Sequence, residues 1–286
     1  MINAKGRNFF GSADGRIIYE CTKGLVHHQA HESLIRSFAF DGQYTLYSGS
    51  DDFYIKAWDL HEENLRPIRT FGMLEQKSYH RNICLIKQGE VLVSTRGQFD
   101  NFCIRLWNVD DDYQNVGSLE GHESFIRSMA VADSVKDLIV TVSDDKTIKL
   151  WDTKSKKMLK SAKMLHKLLN VLVSEKEKLC AVTDDENKVT VLDLYTLETV
   201  TGWIMPRKIV CCATNDKGDH IIIGIVTNIG IWDWSGNKIW SFDTETTTFI
   251  PTLLMEVHGK ILVSDGTGII NVFNIGKLAL ENGETN

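Results

Sequence analysis

His31, Ser48 and Asp52 are the residue types of a hydrolytic triad, and His122, Thr141 and Asp145 repeat the pattern with a threonine hydroxyl. In a catalytic reading Ser48 is the nucleophile and His31 its base. Two features oppose that reading. Each set has a tryptophan in register, Trp58 or Trp151, ten residues after the hydroxyl and six after the carboxylate. No Gly-x-Ser-x-Gly elbow is present to expose a strained serine. A set that recurs in register along one chain is expected to be structural, so no catalytic residue is assigned.

Other clusters reduce to simpler explanations. His27, His28 and His31 are close enough in sequence to suggest a metal, yet along a strand His27 and His28 point to opposite faces. The Cys211-Cys212 pair meets the same objection. Asp110-Asp111-Asp112 lacks the spacing and the glycine of a calcium loop and reads as a solvated turn. No glycine-rich phosphate loop and no zinc spacing of Cys and His occur, so neither cofactor nor metal is expected. Lys154, Lys156, Lys157, Lys160, Lys163 and Lys167 form a basic run with no acidic residue among them. Lysines protect an outer strand against edge pairing, which is the first explanation. The alternative is an electrostatic patch for an acidic partner or anionic lipid headgroups.

The net charge of −6 argues against a general nucleic-acid binder, which needs a basic face. The first seven residues hold no apolar signal core, and no apolar run approaches the roughly 18 residues needed to span a bilayer. The six cysteines, at 21, 84, 103, 180, 211 and 212, show no CxxC pair and sit largely among apolar strand residues. They read as small buried hydrophobes in a reducing compartment, so a cytoplasmic location is expected, with the nucleus as the other option.

The elements that would position these residues come from an internal repeat. His31-Glu32-Ser33-Leu34-Ile35-Arg36-Ser37 and His122-Glu123-Ser124-Phe125-Ile126-Arg127-Ser128 nearly coincide. Each leads through an apolar stretch and an Asp-Asp turn to a second stretch ending in Trp-Asp. Weaker endings follow at Trp107-Asn108, Leu192-Asp193, Trp232-Asp233 and Phe273-Asn274, and Glu20 aligns with the tryptophan slot near the N-terminus. The slots at 20, 58, 107, 151, 192, 232 and 273 are spaced by 38 to 49 residues. Short strands separated by polar turns at this period suit an all-β array. The stretch from Lys157 to Leu172 could pass for an amphipathic helix, but the repeat phase places it across a blade junction.

With its Gly-His and Trp-Asp signatures, the chain resembles the WD-repeat (WD40) family over nearly its whole length, most strongly at 31–59 and 121–152. The resemblance implies a single all-β domain over 1–286. It would be a seven-bladed β-propeller of four-stranded antiparallel blades, at approximately 1–30, 31–76, 77–120, 121–163, 164–203, 204–245 and 246–286. It also implies a buried hydrogen-bonded set in each well-formed blade: His31, Ser48, Asp52 and Trp58 in one, His122, Thr141, Asp145 and Trp151 in the other. The indole can only donate, the hydroxyl accepts and donates onward, and the imidazole links hydroxyl to carboxylate. His80 and Ser94 are expected to serve with Trp107. The blades ending at 232 and 273 lack the Asp and should pack through apolar contacts instead.

Function in such folds lives in sites placed on the scaffold. The resemblance implies partner contacts on loops near the channel mouth, where Arg36, Arg127, Asp51 and Asp144 are expected to lie. Arginine at an interface centre can grip a carboxylate bidentately. The expected activity is therefore non-catalytic: a scaffold or adaptor binding a protein or peptide that is acidic or phosphorylated. The alternative is a substrate-recognition module of a larger assembly such as a ubiquitin ligase or kinase. Trp203, placed in the loop entering the sixth blade, is the further candidate contact. Only Met1 to Ala4 remain for the innermost strand of the first blade, so either that blade is incomplete or the chain is cut from a longer protein.

Overall fold

Runs of β-branched and aromatic residues broken by Asp and Gly turns become strands throughout this chain. The computed structural model describes residues 1–72, 79–86, 90–97, 102–133, 137–215, 217–226, 228–243, 251–257, 260–265 and 270–274. Contacts divide the chain into two compact units, Met1–Val171 with Tyr195–Leu197, and Leu172–Leu194 with Glu198–Asn286.

The first unit carries four antiparallel sheets, each built from consecutive strands. They are β1 (Ile2–Ala4), β2 (Arg7–Gly11), β3 (Arg16–Cys21) and β4 (Gly24–Gln29); then β5 (Ile35–Phe40), β6 (Thr45–Ser50), β7 (Ile55–Asp59) and β8 (Arg66–Phe71). Next come β9 (Tyr79–Ile86), β10 (Val91–Gly97), β11 (Ile104–Asn108) and β12 (Gln114–Leu119), and β13 (Ile126–Asp133), β14 (Leu138–Ser143), β15 (Thr147–Asp152) and β16 (Lys157–Lys163). β17 (Leu168–Ser174) begins in the first unit and ends in the second, which continues with β18 (Leu179–Asp184), β19 (Lys188–Asp193) and β20 (Thr199–Ile204), and with β21 (Ile209–Thr214), β22 (His220–Ile225), β23 (Asn228–Asp233) and β24 (Lys238–Asp243). It ends with β25 (Pro251–Val257), β26 (Lys260–Asp265) and β27 (Ile270–Asn274).

Among the described residues six sheets are complete four-stranded blades, which corrects the expected seven. The last sheet has three strands among the described residues, which end at Asn274. The first blade, expected to be short, has all four strands. Lys5 (φ +53°) and Gly6 (φ +72°) form a two-residue turn with both residues left-handed, so Ala4 pairs directly with Arg7 and three residues suffice for β1. The 157–172 stretch forms β16 and part of β17, not a helix.

Each slot tryptophan buries its ring against the sheet that precedes its own. Trp58 packs with Phe9, Ile17 and Tyr19 of the first blade, and Trp107 with Tyr47, Ile55 and Ala57 of the second. Trp151 packs with Val93, Ile104 and Leu106 of the third, and in the second unit Trp232 packs with Val189 and Val191. Trp232 thus has the apolar surroundings expected of it; the side chain of Phe273 lies outside the described residues. Glu20, in the aligned slot of the first blade, is exposed, and Tyr19 fills the core beside it.

The outer strands share a further regularity. In β8, β12, β16, β20 and β24 the register slips by one residue opposite the tryptophan slot. The extra residues are Ile68, Val116, Leu159, Val200 and Ile239, all exposed. Such bulges twist an edge away from further strand pairing.

Gly15 shows how tightly the first blade docks on the strap before β5. Its φ is +84°, and a Cβ there would lie 2.1 Å from the His31 carbonyl oxygen, which is backbone and cannot yield cheaply. Its own carbonyl accepts the N–H groups of Ala30 and His31. Gly15→Ala should therefore cost about 2 kcal/mol or more in chemical denaturation; a neutral result would show that the strap can shift freely.

Candidate functional site

In the second blade β6 supplies Ser48, the turn after it supplies Asp52, and β7 supplies Trp58. His31 reaches them from the strap before β5. Its Nδ1 lies 2.8 Å from Asp52 Oδ2 and its Nε2 2.7 Å from Ser48 Oγ, while Trp58 Nε1 donates to the same Oγ at 2.9 Å. A carboxylate can only accept, so Nδ1 carries the imidazole proton and Nε2 accepts from the serine hydroxyl. The fourth blade repeats the arrangement: His122 to Asp145 at 2.7 Å and to Thr141 at 2.7 Å, with Trp151 Nε1 to Thr141 Oγ1 at 2.8 Å.

Burial would raise the Asp52 carboxyl, but His31 and the backbone N–H groups of Glu32 and Tyr54 outweigh it and hold that group below its ordinary value. Asp145 is depressed further against the same desolvation, by His122, Thr147 and the backbone of Glu123. Both sets are structural in geometry. Ser48 and Thr141 are 0% exposed, and each hydroxyl already has its tryptophan donor and histidine acceptor. No substrate carbonyl can reach either oxygen. Burial likewise pushes the thiols of Cys84, Cys180 and Cys212 up to about 12, which keeps them protonated and poor nucleophiles.

The third blade departs from the pattern. Trp107 Nε1 donates to Ser94 Oγ at 2.8 Å. His80, however, pairs with Arg96 in the ladder, three positions before Ile83, which faces Ser94; in the second blade Ile35 holds that place before Phe38. His80 therefore stands on β9 itself, buried 6.4 Å from the Trp107 ring centroid, and not on a preceding strap as His31 does.

The arginine pairs lie on the outside of these sets. The register of β5 against β6 slips between Ile35 and Ser37, and that of β13 against β14 slips between Ile126 and Ser128. Arg36 and Arg127 are the extra residues of these bulges, which re-aim a side chain out of the strand alternation. Arg36 grips Asp51 with Nε at 3.0 Å and an Nη at 2.6 Å; Arg127 grips Asp144 with Nε at 2.8 Å and an Nη at 2.5 Å. Each arginine side chain stays 33% exposed, so the outer N–H groups of each fork still face solvent. The strands are tied in sequence: Ser37 Oγ accepts the Ile83 N–H, and Asn82 donates to the Arg127 carbonyl at 3.0 Å. Both pairs thus occupy the same end of three neighbouring first strands, with Phe125 and Phe102 in edge contact beside Arg127.

Trp203 is not in a loop: it lies on β20, paired with Val189, and its half-buried ring covers Gly236. Ser50 and Ser143 were not singled out in the sequence, yet each orders a site. Each hydroxyl donates to a strap carbonyl, Ser33 or Ser124, and accepts the N–H of the network Asp. Their recurrence two residues before that Asp was the available signal. A cavity of about 530 Å³ opens beside Lys5, Arg7, Tyr44 and His61, but its cations are engaged: Arg7 with the Glu63 carbonyl at 2.7 Å and Lys5 over the Tyr44 ring. Among the described residues no group of three His, Cys, Asp or Glu side chains could hold a metal, and no helix is long and apolar enough to cross a membrane.

The model of the WD domain, G-beta repeat, matches residues 20–59 and 113–152. Nuclear distribution protein nudF of Aspergillus niger is 26% identical over 133 residues, covering 43% of this chain and 27% of that protein. Apoptotic protease-activating factor 1 of Mus musculus is 25% identical over 178 residues, covering 60% of this chain and 14% of the relative. The chain thus spans less than two thirds of the length of the relatives it matches. Two matched repeats, six four-stranded antiparallel blades among the described residues and a His–hydroxyl–Asp–Trp set built twice in the same geometry support the WD-repeat (WD40) β-propeller family for this chain.

Proposed function

We propose that this protein is a non-catalytic scaffold or adaptor that captures a protein or peptide partner at the end of the sheets where Arg36 and Arg127 emerge. The observation that carries this reading is the repetition of one device: a bulge-presented arginine, oriented bidentately by its own aspartate and one third exposed. The aspartate fixes the guanidinium plane in advance, which lowers the ordering cost of binding. The three remaining N–H groups suit an acidic or phosphorylated side chain. Phe125 and Phe102 add apolar area next to one of the two arginines. The six cysteines form no CxxC pair and sit largely among apolar strand residues, which fits a reducing compartment, so the proposed location is the cytoplasm or nucleus.

A second reading, a recognition module within a larger enzyme assembly, is favoured by one finding. The mouse relative is by its name a protease-activating factor, and this chain covers only 14% of it. Affinity purification with identification of the co-purified chains separates the two: a stoichiometric catalytic subunit supports the second.

The site itself is tested by charge exchange. Arg36→Asp with Asp51→Arg, combined with Arg127→Asp and Asp144→Arg, keeps both ion pairs and should leave thermal unfolding close to wild type. Capture of partners should weaken by about 2 kcal/mol or more, the loss expected at an interface anchor. An unchanged partner set from the folded variant would refute the assignment.

A further inference from the structure

The outermost strand of the fourth blade carries a surface that the proposed partner site does not use. From Lys154 to Ser174 the chain holds six lysines and no carboxylate, although the whole chain has a net charge of −6. Every side chain of β16 is exposed except the half-buried Ala162, and β16 is the terminal strand of its sheet. Lys157, Lys160 and Lys163 make no ion pair with a described residue. Among these lysines stand apolar tips: Met158 is 46% exposed, Leu159 49% and Leu165 77%.

Edge protection does not account for this composition. The outer strands β12 (Gln-Asn-Val-Gly-Ser-Leu) and β20 (Thr-Val-Thr-Gly-Trp-Ile) contain no charged residue at all, and each is blunted by its bulge alone. β16 has the same bulge, at Leu159, so its lysines are surplus to that task. The bulge also interrupts the row of N–H and C=O groups that a strand-adding peptide would read.

We infer that this edge docks on an anionic bilayer surface. The lysines meet lipid headgroups across about 20 Å of strand, and Leu159, Leu165 and Met158 enter the boundary between headgroups and acyl chains. A negatively charged chain is repelled from such a surface in other orientations, so the patch also fixes how the protein sits on it.

Cosedimentation of the full chain with phosphatidylcholine vesicles, with and without phosphatidylserine, tests the inference. Binding should require phosphatidylserine and fall as salt rises. Lys157→Glu with Lys160→Glu and Lys163→Glu should lower the partition coefficient at least about a hundredfold, with thermal unfolding unchanged. Leu159→Ser with Leu165→Ser should weaken vesicle binding severalfold while leaving binding to soluble polyglutamate unchanged. Equal binding to both kinds of vesicle, or full binding by the folded lysine variant, overturns the inference. So does loss of polyglutamate binding in the lysine variant while the leucine variant keeps full vesicle affinity, which would mark the edge as a site for acidic proteins.

Discussion

Trp151→Ala lowers stability by about 3 to 5 kcal/mol, the range for removing a large aromatic from a core. Trp151 is the largest of the fully buried side chains and is 1% exposed. Its ring packs against Ile104, Leu106, Leu119 and Ile139, so truncation opens a cavity between two sheets whose backbones are fixed by their ladders. The Thr141 hydroxyl also loses its donor, while its bond to His122 remains. Trp151→Phe separates these contributions. It keeps most of the apolar area and removes the indole N–H, so it should cost about 1 to 2 kcal/mol. Denaturant unfolding followed by circular dichroism measures both. A loss under about 1 kcal/mol for the alanine variant would show that the neighbouring sheets close over the gap.

Asp145→Ala has an effect of similar size by a different route. The carboxylate accepts from His122 Nδ1 at 2.7 Å, Thr147 Oγ1 at 2.6 Å, and the backbone N–H groups of Glu123 and Thr147 at 3.0 and 2.8 Å. Removing it strands these donors in a site where the carboxylate side chain is 6% exposed, at about 3 to 5 kcal/mol. Asp145→Asn retains one acceptor oxygen and should lose less. The pair of variants also carries a pH signature. The folded carboxyl is held below its ordinary value, so the unfolded chain binds more protons in acid. The stability that Asp145 contributes is full above about pH 4 and is lost as pH falls below it. The asparagine variant has no such contribution, so its unfolding free energy should decline less steeply below about pH 4 than that of the wild type. Asp52 contributes in the same direction, and the double variant should be flatter still. An asparagine variant with the full wild-type acid slope would show that other carboxylates govern acid unfolding.

Much of this was readable in the chain because it is local. The hydroxyl-to-tryptophan and Asp-to-tryptophan spacings lie within one hairpin. β6 runs into β7 with Ser48 opposite Lys56 and Leu46 opposite Trp58, so ten residues of sequence fix one side-chain contact. The strap histidine is farther away, but its position is set by the same strand count in both copies. Where the count changed, the placement of the histidine changed with it, although Ser94 and Trp107 pair as expected and His80 is buried beside that ring. His80 has the right residue type near Ser94 but stands on the strand in place of Ile35. The first blade looked too short because composition does not show that Lys5-Gly6 takes two left-handed conformations and closes the hairpin without further residues.

By itself, the sequence determined the repeat period and the fixed spacing of hydroxyl, carboxylate and tryptophan along one hairpin, while the two buried polar sets and the position of the arginines were what the family resemblance implied. The tertiary structure decided which edges and faces those residues share. Arg36 and Arg127 pair with aspartates because bulges on β5 and β13 turn them out of the strand alternation, and a bulge is a property of register between two strands. Trp203 covers Gly236 because Trp203 pairs in the outer strand and a turn from the next sheet closes on it. The surplus of lysine on β16 became visible only beside the uncharged, equally bulged strands β12 and β20. Register and edge exposure arise when strands pair, and no single segment of the chain carries that information before it folds.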